Sequence, residues 1–227
     1  MKLDLRKTYY CVLDTETCPI TPSDKVDPHN MLVYDIGYRI IDKKGTCYLE
    51  RSFVVDDIFF GEYKKMLSCY YADKLPQYFK DIAEGTRVRK SFEEIMKIFR
   101  EDLKDCNCKI VSAHNAYFDY TSLATTIKYL FENKAYFFPY DIKIYDTMKM
   151  ARDTICKNKT YDYYTSNGRK SATAENLYKY ITNNEDFKES HTGLEDTKIE
   201  SEILLACLRQ HKKMRRLLFS NSRLENN

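Results

Sequence analysis

Three short acidic islands in a fixed order constrain this chain more than anything else in it. They are Asp14-Thr15-Glu16, His114-Asn115-Ala116-Tyr117-Phe118-Asp119 and His191-Thr192-Gly193-Leu194-Glu195-Asp196. Carboxylates that a fold gathers in one place repel one another unless a cation sits between them. The candidate set is Asp14, Glu16, Asp119 and Asp196, with His191 supplying an imidazole. Hard oxygen donors of this kind suit Mg2+ or Mn2+, and two such ions can clamp an in-line displacement at phosphorus.

Local patterns place each island at the end of a regular element. Cys11, Val12 and Leu13 form an apolar run, so Tyr9 to Leu13 reads as a buried strand that ends at the first island. Residues two apart in a strand point to the same side, which makes Asp14 and Glu16 a metal-binding pair. Met31 to Ile41 alternates as a second strand, and Asp42-Lys43-Lys44-Gly45 turns the chain into a third, Thr46 to Val54. Asp56 to Gly85 is Tyr-rich and helical-looking, carries no evident catalytic chemistry, and is expected to pack beside the sheet.

Phe92, Ile95, Met96, Phe99 and Leu103 fall at helical spacing, which predicts a helix over Ser91 to Leu103. A short strand, Lys109 to Ala113, then delivers His114 to a loop, and Asp119 opens a helix to about Phe131. A further strand over Ile142 to Tyr145, a helix through Arg152 and another over Ala174 to Ile181 precede the last long helix. Thr192-x-x-Glu195 has the capping-box pattern, with Thr192 as N-cap of that last helix. His191 then stands just outside the helix and Asp196 in its first turn. The positive end of a helix disfavours an imidazolium, while nearby carboxylates favour one. His114 reads as a loop residue or a phosphate contact.

A net charge of +3 does not announce a polyanion partner, so any such surface must be local. Lys157 to Lys170 interleaves basic and aromatic side chains, the mixture that tracks a single strand, although a solvated loop is the more ordinary reading. His211-Lys212-Lys213-Met214-Arg215-Arg216 is expected to close the last helix, where cations suit the dipole. Eight cysteines lack the paired spacing of a zinc site and are expected to be reduced. No apolar run is long enough to span a membrane, and the charged start from Met1 to Lys7 does not look like a signal peptide, so a cytoplasmic protein is expected.

The order and spacing of the three islands resemble the DEDDh 3′→5′ exonucleases, the group that includes the epsilon-type proofreading subunits of DNA polymerases. His191-x4-Asp196 is similar to the histidine arrangement of that group. Tyr178 and Tyr180 do not stand where a tyrosine-dependent relative would need one. Asp146-Thr147 with Ala151-Arg152 is similar to a D-T-x-x-x-A-R stretch common in these enzymes. Tyr70-Tyr71-Ala72-Asp73-Lys74 with Pro76 looks like an insertion in members encoded by tailed bacteriophages. Gly193 stands where alanine is commoner, and Cys18-Pro19 where Thr-Gly is frequent.

The resemblance implies one α/β domain over residues 1–227, with an RNase H-like mixed five-stranded sheet flanked by helices and a helical insertion at about 56–89. It implies two Mg2+ or Mn2+ ions held by Asp14, Glu16, Asp119 and Asp196, with His191 as base. Thr15, Thr17, Asn115 and Phe118 would contact the terminal nucleotide. The expected activity is release of nucleoside monophosphates from single-stranded or frayed DNA 3′ ends in a (host) cytoplasm, with a replication polymerase as a candidate partner. An RNA-directed exonuclease of the same fold is one alternative, and a non-catalytic module that binds nucleic acid or a polymerase is the other.

Overall fold

The computed structural model describes residues 3–4, 6–23, 25–131, 136–189 and 191–218. Its centre is a six-stranded sheet in the order β4-β3-β2-β1-β5-β6. The strands β1 (Tyr9–Pro19), β2 (Met31–Asp42) and β3 (Cys47–Val55) form the expected antiparallel meander. Asp42 accepts from the Lys44 and Thr46 amides, and Gly45 adopts φ +86°, which closes the turn between β2 and β3. β5 (Ile110–Ala113) lies parallel to β1, and β6 (Lys143–Asp146) parallel to β5.

Period-two alternation divides β1 between two cores. Tyr9, Cys11 and Leu13 face one, with Phe92, Phe99, Leu123 and Ile127. These come from helices α4 (Phe92–Asp105) and α5 (Tyr117–Phe131). Tyr10 and Val12 face the other, with Met150, Leu177, Ile203 and Leu204. That core is roofed by α6 (Thr147–Asp153), α7 (Ala174–Thr182) and α8 (Gly193–Arg209). Seven of the eight cysteines are buried, and all eight are free thiols.

The sixth strand corrects the expected five. β4 (Val88–Lys90) pairs in parallel with β3 at the sheet edge. Its sequence, Val-Arg-Lys, is short and charged, which suits a protected edge and hides the strand from a search for apolar alternation. The segment before it holds α1 (Asp56–Phe59), α2 (Tyr63–Met66) and α3 (Leu75–Glu84). It contributes to the core as well as packing beside the sheet: Ile58, Phe59, Met66 and Tyr78 are buried in the first cluster.

A second correction concerns the basic stretch at 211–216. It lies beyond α8, which ends at Arg209, and therefore does not form the helix's last turn. The chain runs along β6 instead. Arg216 O accepts from the Asp146 amide, and the Leu218 amide donates to Ile144 O, each at 2.8 Å. Arg215 pairs with Asp153 at 2.9 Å.

α8 meets the sheet at two glycines. A Cβ on Gly37 would lie 2.2 Å from the Gly193 carbonyl carbon and 2.2 Å from the Leu194 nitrogen. A Cβ on Gly193 would lie 2.8 Å from Gly37 N and 3.3 Å from the Asp35 carboxylate. This close approach gives a physical reason for glycine at 193. Gly37→Ala is expected to lower stability by about 1–3 kcal/mol, the cost of overpacking a filled contact. Urea unfolding of the variant beside the wild-type protein measures it, and an unchanged midpoint would contradict the contact.

Candidate active site

β1 presents Asp14 and Glu16 on the face it shares with α8, and Asp196 enters from the first turn of that helix. One carboxylate oxygen from each of the three lies within 4.8 Å of the other two. These residues line a cleft of about 380 Å3 that also holds Thr15, Asn115, Phe118, Asp119 and His191. Eight of the nine site residues anticipated in the sequence thus come together. Thr17 is not among the lining residues; it follows a bulge between Glu16 and Thr17 and lies opposite Val33 on β2.

Asp119 is buried in the first turn of α5, and its Oδ1 accepts the Thr15 hydroxyl at 2.8 Å. The Thr15 side chain therefore braces a carboxylate. His114 is a strut: its Nε2 donates to Ala172 O at 2.7 Å, and Nδ1 lies 3.2 Å from the Thr147 hydroxyl. Burial pushes its pKa below the ordinary histidine value.

Three further acidic or aromatic residues line the cleft that sequence reasoning did not single out. Glu200 lies one helical turn beyond Asp196 on α8 and accepts the His114 amide at 3.2 Å. The i, i+4 spacing was its available signal. Glu189 stands shortly before His191, with burial and then Asp196 pushing its carboxyl up to about 7. Tyr71 comes from the 56–89 segment, and nothing local in the sequence marks it as part of the site.

Electrostatics follow from this crowding. Burial, then Glu200 and Glu16, raise Asp14 well above the usual carboxylate range. Burial, then Asp35 and Asp196, do the same for Glu16. Burial raises Asp119 to about 7 against the stabilising bond from Thr15. A set of desolvated carboxylate oxygens is the donor chemistry that fits a hard divalent cation.

His191 has a left-handed backbone, φ +54°, and its ring stacks on Tyr71 with centroids 4.4 Å apart and planes 14° apart. Burial, followed by Lys74, lowers its pKa, opposed by Glu175 and Asp73. The balance that the sequence left open between helix end and carboxylates thus falls toward the neutral imidazole, chiefly through desolvation. The cap itself also departs from the capping box. The Thr192 amide donates to Asp196 Oδ2 at 3.0 Å, and the Thr192 hydroxyl contacts Glu195, whose carboxylate is drawn to Arg87 at 3.0 Å. Asp196 thus reaches back to the N-cap of its own helix while facing Asp14 and Glu16.

Raised carboxyls bind protons more tightly in the native state than in the unfolded chain, so their contribution to stability falls as pH rises. For Asp119 the window runs from 3.8 to about 7. In chelator, Asp119→Asn is expected to melt above the wild-type protein at pH 8, with the gap closing as the pH falls through this window. Thermal melts across pH test this, and a pH-independent gap would contradict it.

No family model and no curated protein sequence matches the chain. Solved structures do resemble it. The 3′-exonuclease described in 3′-end-specific recognition of a histone mRNA stem-loop has 11% identity over 92% of this chain and 85% of that one, with a TM-score of 0.63. The nuclease domain of 3′hExo, a DEDDh family member bound to rAMP, has 14% identity over 92% and 96%, with a TM-score of 0.62. E. coli Exonuclease I in complex with a dT13 oligonucleotide has 11% identity over 90% of this chain but 41% of its own, with a TM-score of 0.53. The protein has the α/β fold of these 3′-exonucleases, a mixed sheet flanked by helices.

Proposed function

We propose that the protein is a metal-dependent 3′→5′ exonuclease of DEDDh type that releases nucleoside monophosphates from single-stranded or frayed DNA ends. The observation that carries this reading is the convergence of Asp14, Glu16 and Asp196 oxygens within 4.8 Å, in a cleft that also holds Asp119 and His191. The likeness in fold to 3′-exonucleases supports it. The phage origin suggested by Tyr70 to Pro76 rests on that stretch alone.

Asp14, Glu16 and Asp196 would hold one divalent ion, and Asp14 with Asp119 a second. When bound, the ions supply water activation and neutralise charge at the leaving oxygen. His191, kept neutral by burial, takes the proton of the attacking water as the bond between phosphorus and the 3′ oxygen breaks. Asn115 and Phe118 flank the terminal nucleotide, Phe118 offering a face for its base. RNA is the alternative substrate, supported by the histone mRNA stem-loop that one of the similar proteins recognises and the rAMP bound to another.

The test uses 5′-labelled single-stranded DNA and RNA of matched sequence, with Mg2+, Mn2+ or chelator. A ladder shortening from the 3′ end, abolished by chelator, is the expected result, and the faster strand identifies the sugar. Asp14→Asn and His191→Ala should each reduce turnover by roughly 100-fold or more while the fold persists. Mn2+ should raise the melting temperature of the wild-type protein and leave Asp14→Asn unmoved. Folded, metal-binding protein that cleaves neither strand would instead favour a binding module.

A further inference from the structure

The Tyr71 ring lies almost parallel to the His191 imidazole, 4.4 Å away, inside the cleft. Stacking covers one face of the imidazole and does not itself engage the ring nitrogens. Tyr71 is itself braced, with the Tyr70 ring set edge-on at 4.8 Å and 89°. Asp73 and Lys74, in the same stretch, also act electrostatically on His191, as does Glu175 of α7. One short stretch of the 56–89 segment therefore supplies a stacked ring and two nearby charges to this histidine.

We infer that Tyr71 is a positioning residue for His191, fixing the plane of the imidazole and shielding one of its faces from water so that its edge faces the reacting water. The inference rests on the exonuclease reading and goes beyond it, because it gives the 56–89 segment a part in proton transfer. His191 precedes α8 on a left-handed backbone and is not held by the helix hydrogen-bond ladder, so its ring orientation depends on what packs against it. Tyr71 is poorly placed to serve as the base platform, since the imidazole occupies one face and Tyr70 abuts the ring. Phe118 lines the same cleft and is the better candidate for that task.

The experiment compares the wild-type protein with Tyr71→Phe and Tyr71→Leu. The chain has four histidines, so the imidazole protons can be assigned by NMR. Ring-current shielding of His191 is expected in the wild type and in Tyr71→Phe, and should vanish in Tyr71→Leu. On single-stranded DNA with Mg2+, Tyr71→Leu should lower kcat roughly 10- to 100-fold with KM held, the usual cost of a misplaced catalytic group. Its acid limb should move to higher pH as water reaches the imidazole, and Tyr71→Phe should restore wild-type behaviour.

An unshielded His191 in the folded wild-type protein overturns the inference without any variant. Tyr71→Leu with unchanged kcat and pH profile overturns it too, as does a rise in KM alone, which would make Tyr71 a nucleotide contact. If the wild-type protein cleaves neither DNA nor RNA, the exonuclease reading falls and this inference with it. Cleavage indifferent to Tyr71→Leu removes this inference alone.

Discussion

The site depends on how closely one helix end can approach one strand. Gly37 lies directly across from Asp14 in the β1–β2 register, and the backbone of α8 rests on it at Gly193. With no side chain on either residue, the first turn of α8 comes down against the sheet at the level where β1 carries its acidic pair. Asp196 is then delivered to Asp14 and Glu16 by backbone contact rather than by a long, mobile side chain. Asp35 secures the approach. Its buried carboxylate accepts the Gly193 amide at 3.1 Å, the Tyr78 hydroxyl at 2.6 Å and the Arg87 guanidinium at 2.9 Å.

Arg87 extends that anchorage to the 56–89 segment. It is almost fully buried, lies over the Tyr78 ring at 4.5 Å, and pairs with Asp35, Asp81 and Glu195. A guanidinium can serve several carboxylates at once because its donors are fixed in one plane. The pairing ties β2, α3 and the first turn of α8 into one unit beside the cleft. It also explains the altered cap on α8: Glu195 turns toward Arg87, and Asp196 receives the Thr192 amide in its place.

Much of the site was legible in the sequence because it obeys local periodicities. The D-x-E pair needs only the alternation of β1, and Asp119 and Asp196 each fall in the first turn of a helix whose apolar spacing is evident. The antiparallel meander was equally plain from its strands and the Asp42–Gly45 turn. Tyr71, Arg87 and Gly37 were not legible, because their roles arise from partners distant in the chain and no local pattern records a contact through space. β4 escaped because an edge strand of Val-Arg-Lys has no apolar rhythm, and the 211–216 stretch because its backbone pairs with β6 instead of extending α8.

The cleft is also a place where the fold works against itself. Asp14, Glu16, Asp119, Glu189, Asp196 and Glu200 all line it, and burial and mutual repulsion raise the pKa of several of them. A protein with only a structural use for this surface would be more stable with apolar or amide side chains there. Meanwhile the surrounding hydrogen bonds hold the carboxylates in place: Thr15 on Asp119, the His114 amide on Glu200, the Thr192 amide on Asp196. Backbone and hydroxyl donors fix these oxygens without fully neutralising the cluster. The cluster is thus held in place yet short of positive charge, which is the donor chemistry a hard divalent cation fits at Asp14, Glu16 and Asp196.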